Sequence, residues 1–267
     1  METTMTSVIP KKKGLPGSTL KMIAIITMLI DHVGAALVGR LLIVKGYTEA
    51  VNTGNMQTVN QWMQDNALLY YGYSAMRMIG RIAFPIFIFL MIEGFEKTSN
   101  RWKYAIRLGA FALISEIPFD LAFNANILEF TYQNVFFTLL IGFLLMILVD
   151  AVSSSKMHIA LRVILDGLTI AAGAALAQLL QTDYGATGII CIMVMFLFRK
   201  HKVGQIVAGC ETFLWELTAP LAFVPIAFYN GERGWKLKYV FYAFYPLHLL
   251  IIYLICVAMG IHGFAVV

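Results

Sequence analysis

Apolar positions in this chain come in long runs and not in one-sided stripes. A helix needs about 20 apolar residues to cross a hydrocarbon layer. Eight runs of that kind can be traced, at roughly 20–44, 76–95, 104–124, 133–152, 158–181, 184–199, 203–229 and 239–261. Polar residues gather between them. The stretch KGYTEAVNTGNMQTVNQWMQDNALLYYGY, after the first run, is polar and then aromatic, which predicts an external loop with a short interfacial helix near Trp62 to Tyr73. Pro220 and Pro225 interrupt the seventh run and allow a broken or re-entrant segment there. Lipid admits only structures that satisfy their own backbone. The expected class is therefore all-α, a polytopic membrane bundle of about eight transmembrane helices. It forms one domain over residues 20–267, behind a basic cytoplasmic tail, 1–19.

Composition supports that reading. The chain is 60% hydrophobic and 13% charged, where a soluble domain is nearer half and a quarter. A net charge of +5 raises nucleic acid as a partner. The basic residues lie in short loops between apolar runs, however, so the expected partner is the bilayer and nucleic acid is not expected. With the N-terminus inside, 13 Lys and Arg fall on the inner side and 7 on the outer, the segment NGERGWKLKY being counted outside. The stretch METTMTSVIPKKKGLPGST has no apolar core ahead of its basic run and is not a signal peptide. Cys191, Cys210 and Cys256 sit in apolar runs without metal spacing and read as small buried hydrophobes. Nucleotide-loop, zinc-protease and serine-hydrolase motifs are absent from the sequence.

The informative residues are ionisable ones at membrane depth, where each costs at least about 2.5–3.5 kcal/mol and usually marks a pathway or a site. Asp31 and His32 lie near the middle of the first run, His32 roughly 18 Å in at 1.5 Å per residue. A midplane His beside a carboxylate suits proton abstraction, and an interhelical packing bond is the alternative. Neighbouring residues on a helix point about 100° apart, so the two need not share a partner. Arg77 and Arg81, at i and i+4, share a face. They can clamp an anion or pair with Glu116 and Asp120, which are themselves i, i+4 around Pro118. Lys103 and Arg107 form a basic pair at the cytoplasmic mouth, suited to the phosphates of a nucleotide-like cofactor or to ordinary inner-side charge. Glu93 and His248 complete the candidate substrate-binding set, each with a packing role as its alternative, and Glu211 and Glu216 are further intramembrane acids.

Five stretches run in order over nearly the whole chain: LKMIAIITMLIDHVGA, MRMIGRIAFPIFIFLMIEGFEKTSNRWKYAIRL, FALISEIPFDLAF, NVFFTLLIGFLL and LKYVFYAFYPLHLLIIYL. Together they resemble the TraX family of bacterial membrane proteins. The resemblance implies an acetyltransferase of the inner membrane, within a wider group of transmembrane acyltransferases that includes sugar acyltransferases and the lysosomal heparan glucosaminide acetyltransferase. Many of those sugar enzymes carry Arg, ten residues, then His in the first helix. Here Lys21 and His32 have ten residues between them, so Lys takes the Arg position, one charge without the bidentate fork. Lys103 and Arg107 resemble their cytoplasmic Arg pair, and Glu93 stands where a small residue is usual.

The expected activity is transfer of acetyl from acetyl-CoA to an amine or hydroxyl of an acceptor of unknown identity. Acetyl-CoA acts as co-substrate and no metal is required. Lys21, Lys103 and Arg107 hold its phosphates, His32 with Asp31 supplies the base, and Arg77, Arg81, Glu116 and Asp120 line the acceptor side. A proton-coupled transporter and a membrane scaffold are the competing classes, and a homo-oligomer is compatible with either reading.

Overall fold

The computed structural model describes residues 13–235 and 238–266, with the backbone alone for 238–241. Lys11, Lys12 and Lys236, and with them most of the expected tail, lie outside the described residues. The described chain is helical. Helix α1 is Gly17–Val44, followed by α2 Tyr47–Asn52, α3 Met56–Asp65, α4 Ala67–Gly80 and α5 Ala83–Lys97. Then come α6 Arg101–Phe123, α7 Val135–Ser153, α8 Ile159–Leu179, α9 Gly185–Leu197 and α10 Lys202–Thr212. The chain closes with α11 Phe223–Ala227 and α12 Lys238–Ala258. Starts are set by side chains that take up free amides. Asn100 accepts from Lys103 N at 2.8 Å, and Asn134 from Phe136 N at 3.0 Å.

Four helical stretches are long and apolar enough to cross a membrane: Gly17–Val44, Ala67–Lys97, Val135–Ser153 and Ile159–Leu179. Gly185–Leu197 and Tyr242–Ala258 are apolar but shorter. Helix α6, with 23 residues, has the length and carries more charge. The second span begins earlier than expected, at Ala67, so the tyrosines at 70–73 belong to it. The short helix of the polar stretch is α3, ahead of that aromatic cluster.

One end of the bundle is basic. There Asp150 accepts from Arg101 Nη1 at 2.7 Å and Arg199 Nη2 at 2.8 Å. Glu96 accepts from Arg199 Nε at 2.8 Å and from Lys200. The ends of α5, α6, α7 and α9 are thereby tied together. At the far end Val266 N donates to Phe123 O, and Gln133 N to Gln181 O. Arg40, fully buried, donates to the last-turn carbonyls Leu121 O and Ala122 O of α6, a cation satisfying helix C-terminal acceptors.

The segment 203–229, expected to cross, does not run from end to end. Helix α10 enters from the basic end, the chain turns at residues 213–218, and α11 brings it back. Lys202 Nζ bonds Ala227 O at 2.7 Å and Tyr229 O at 3.0 Å, so the two ends meet. Tyr229 also pairs with Leu15 at the start of α1, and Gly17 N donates to Glu232 O. Arg233, counted on the outer side from the sequence, therefore sits at the basic end. The backbone start of α12, at Lys238, follows from that end.

Candidate functional site

A cavity of about 180 Å³ lies between α1, the α4–α5 junction, the end of α6, the interior of α12 at Tyr245, and the loops 124–134 and 180–184. Asp31, His32, Arg77, Arg81, Asp183 and a ring of Tyr and Phe side chains line it. On α1 the lining starts at Met28, 11 residues beyond Gly17, and includes His32, 15 residues beyond it, so the cavity begins roughly 17 Å from the basic end and reaches His32 at roughly 22 Å, at 1.5 Å per residue. Its other walls, Phe123, Tyr132 and Val266, belong to the far end.

Helix geometry sets where His32 points. Immediately after it, Val33–Val38 widens into a π-helical segment, a distortion that recurs at functional sites because it shifts the phase of the side chains that follow. His32 Nδ1 lies 2.6 Å from His248 Nε2, with the ring planes within 4° of parallel. His248 Nδ1 lies 2.7 Å from the Phe244 carbonyl. A carbonyl only accepts, so His248 Nδ1 donates to it. In a neutral ring the other nitrogen then accepts, and the donor to His248 Nε2 must be His32 Nδ1–H. His32 Nε2 is left with its lone pair. Phe123 and Tyr245 pack edge-on against the His32 ring and fix its plane.

Asp31 does not orient His32. Its Oδ2 accepts from Arg77 Nη1 at 2.8 Å, because consecutive helical residues diverge by about 100°. The pairing of Arg77 and Arg81 with Glu116 or Asp120, one of the two alternatives open from the sequence, is absent. Arg81 Nε is instead 3.4 Å from Glu216 Oε2, at the turn of the α10–α11 hairpin. Thr218, at the same turn, donates to Met78 O. Close approach makes these contacts possible: a Cβ on Gly80 would fall 2.1 Å from Asp31 Cβ, and one on Gly34 would fall 2.9 Å from Met76 Cβ.

Glu116 and Asp120 serve the loop 124–134. Glu116 accepts from Asn134 Nδ2, and Asp120 from Asn124 Nδ2 at 3.1 Å and Glu129 N at 2.8 Å. In that exposed loop, Glu129 accepts the Thr131 amide and hydroxyl and the Phe130 amide, which hold its carboxyl below the ordinary glutamate range. Glu93 pairs with Lys97 at 2.6 Å near the basic end, away from the cavity. Lys21, Lys103 and Arg107 are also outside the lining. Lys103 is exposed near the start of α6, and the Arg107 guanidinium lies 5.4 Å from the Tyr104 ring centroid. Among the described residues no three His, Cys, Asp or Glu side chains converge as a metal set.

Among the polar cavity residues, Tyr73, Tyr132, Asp183, Tyr184 and Tyr245 were outside the sequence expectation for the site. Tyr132 Oη donates to Asp183 Oδ1 at 2.7 Å. Tyr184 has a positive φ of 66° and stacks on Phe84 with centroids 3.8 Å apart. The DYG triplet in a connection between apolar runs was the available signal, since Asp and Gly with a non-Gly αL residue mark a specified turn.

The family described as TraX protein matches residues 16–256. The chain is 25% identical over 264 residues to a protein of Dichelobacter nodosus described as "Probable fimbrial assembly protein FimC, serogroup H1", covering 87% of this chain and 92% of that one. No solved structure matches it.

Proposed function

The chain belongs to the TraX family, and from that premise we propose that it is a membrane-embedded acetyltransferase, moving acetyl from acetyl-CoA to an amine or hydroxyl of an acceptor. The observation that carries the proposal is the hydrogen-bond order Phe244 O, His248, His32, which leaves His32 Nε2 unprotonated at a cavity wall. A general base needs that form. Arg77 and Arg81, each with a carboxylate partner, position the acceptor beside it.

In this reading the basic end is cytoplasmic, the N-terminus lies inside, and the bilayer is a bacterial inner membrane. The basic side chains of that end support the orientation. The helices then make seven crossings, α1, α4–α5, α6, α7, α8, α9 and α12, with α10–α11 as a re-entrant hairpin. Lys21, Lys103 and Arg107 receive the CoA phosphates at the inner face. Lys21 is 11 residues before His32, about 17 Å along the helix, a separation the pantetheine arm bridges. The acceptor approaches from the far end.

The test is labelled acetyl-CoA supplied to the purified chain in detergent, with a membrane extract of cells lacking it as acceptor. Release of free CoA together with label on an acceptor is expected. His32→Ala should abolish both while the protein remains folded in the membrane. Wild-type chain that moves protons and solute in liposomes and consumes no acetyl-CoA would overturn the proposal in favour of a transporter.

A further inference from the structure

Tyr245 stands beside His32 in the same cavity, with 3% of its surface exposed and ring centroids 5.8 Å apart. Its ring is held on two further sides, by Phe136 at 5.0 Å and His248 at 5.7 Å, both edge-on. The hydroxyl is therefore fixed in place. Val135, the first residue of the 19-residue helix α7, lines the same cavity, and its amide has no partner within its own helix. The positive end of α7 therefore lies at the cavity wall that also carries the Tyr245 ring, next to the ring with the free Nε2.

We infer that Tyr245 is a further catalytic residue, donating its hydroxyl hydrogen bond to the thioester carbonyl oxygen as that oxygen becomes an oxyanion. The inference rests on the acetyltransferase reading above. In the step, the acceptor nitrogen or oxygen forms a bond to the acetyl carbon and its proton goes to His32 Nε2. The carbonyl electrons move onto oxygen, where Tyr245 Oη–H stabilises the charge. When the carbonyl re-forms, the carbon–sulfur bond breaks, and the CoA thiolate takes the proton back from His32. Tyr245 keeps its own proton throughout. The neighbouring Asp183 carboxylate is occupied by Tyr132 Oη, so it does not compete for that hydroxyl through the same oxygen.

The experiment is Tyr245→Phe in the full-length chain in detergent, measured by CoA release from acetyl-CoA with the membrane extract as acceptor. The ring packing stays and only the donor goes. Loss of one oxyanion donor lowers kcat about 10²–10³-fold, and the expectation is that loss with an unchanged KM for acetyl-CoA and an unchanged melting temperature. Active wild type with an equally active Tyr245→Phe overturns the role of Tyr245 and leaves the acetyltransferase reading standing. A variant that loses kcat, binding and thermal stability together assigns the hydroxyl to packing and overturns it as well. Wild type that releases no CoA removes the reading itself and the inference with it.

Discussion

Asp31 Oδ2 holds Arg77 Nη1 at 2.8 Å and leaves His32, its neighbour in the chain, to a different partner. Two adjacent ionisable residues on one helix thus serve two separate devices: Asp31 joins α1 to α4, and His32 joins α1 to α12. Cutting the first should leave Arg77 without its counter-charge. Asp31→Asn is expected to destabilise the folded chain by about 2 kcal/mol, the scale of a hydrogen bond to a charged group. The double variant Asp31→Asn, Arg77→Met should recover part of that loss. Thermal melts in detergent read both, and a double variant weaker than the sum of the singles would contradict the pairing.

The α1–α4 crossing depends on a missing side chain. Ala at position 80 would put its Cβ 2.1 Å from Asp31 Cβ. Gly80→Ala should therefore cost about 1–3 kcal/mol as overpacking and move Asp31 off Arg77. Gly72→Ala, where nothing lies within 4 Å of the added carbon, is the control and should melt like wild type.

His248 acts on His32 only as an acceptor. A Gln at 248 can still offer an oxygen to His32 Nδ1, whereas Phe offers none. His248→Phe should reduce CoA release about 10–100-fold, the usual scale for a partner that fixes a histidine's tautomer. His248→Gln should retain more activity than His248→Phe. Equal loss in the two would count against the relay.

The hairpin makes a topological statement that impermeant thiol reagents can read. In a background with Cys191, Cys210 and Cys256 replaced by Ser, Glu232→Cys should react from the same membrane side as Lys156→Cys. Thr53→Cys should react from the opposite side. Labelling of positions 232 and 53 from one side would mean that the segment 203–229 crosses after all.

The exposed loop at 124–134 carries its own pH dependence. The Glu129 carboxyl is held below the ordinary glutamate value by the Thr131 amide, the Thr131 hydroxyl and the Phe130 amide. A depressed folded value means that the contribution is present above the unfolded value, about 4.3, and is lost as pH falls through the folded one. Amide exchange in the loop should accelerate on acidification below about pH 4, and Glu129→Gln should remove most of that dependence.

Run length and composition made the helical membrane character legible, since Gly17–Val44, Val135–Ser153 and Ile159–Leu179 lie close to the apolar stretches that announce them. The α10–α11 hairpin was not legible as such. Its 27 residues, 203–229, have the length of a crossing, and only the contacts of Lys202 with Ala227 and Tyr229 reveal the return. His32, His248, Arg77 and Arg81 stood out because charge at depth is expensive. Their partners did not, because pairing across helices depends on rotation about each axis. Tyr132, Tyr184 and Tyr245 were hidden among 12 tyrosines of an aromatic membrane protein, where such rings ordinarily mark the lipid interface.

The histidine pair also fixes an order of events during synthesis. His32 leaves the ribosome early and waits for a ring that lies 216 residues further along the chain. Every intervening helix is translated before α12 can bring His248 alongside. A nascent or truncated chain lacking α12 therefore holds a first helix complete in its own hydrogen bonds and a histidine whose proton is not yet assigned to either nitrogen. The pairing of the two rings therefore forms only after the final helix has been made.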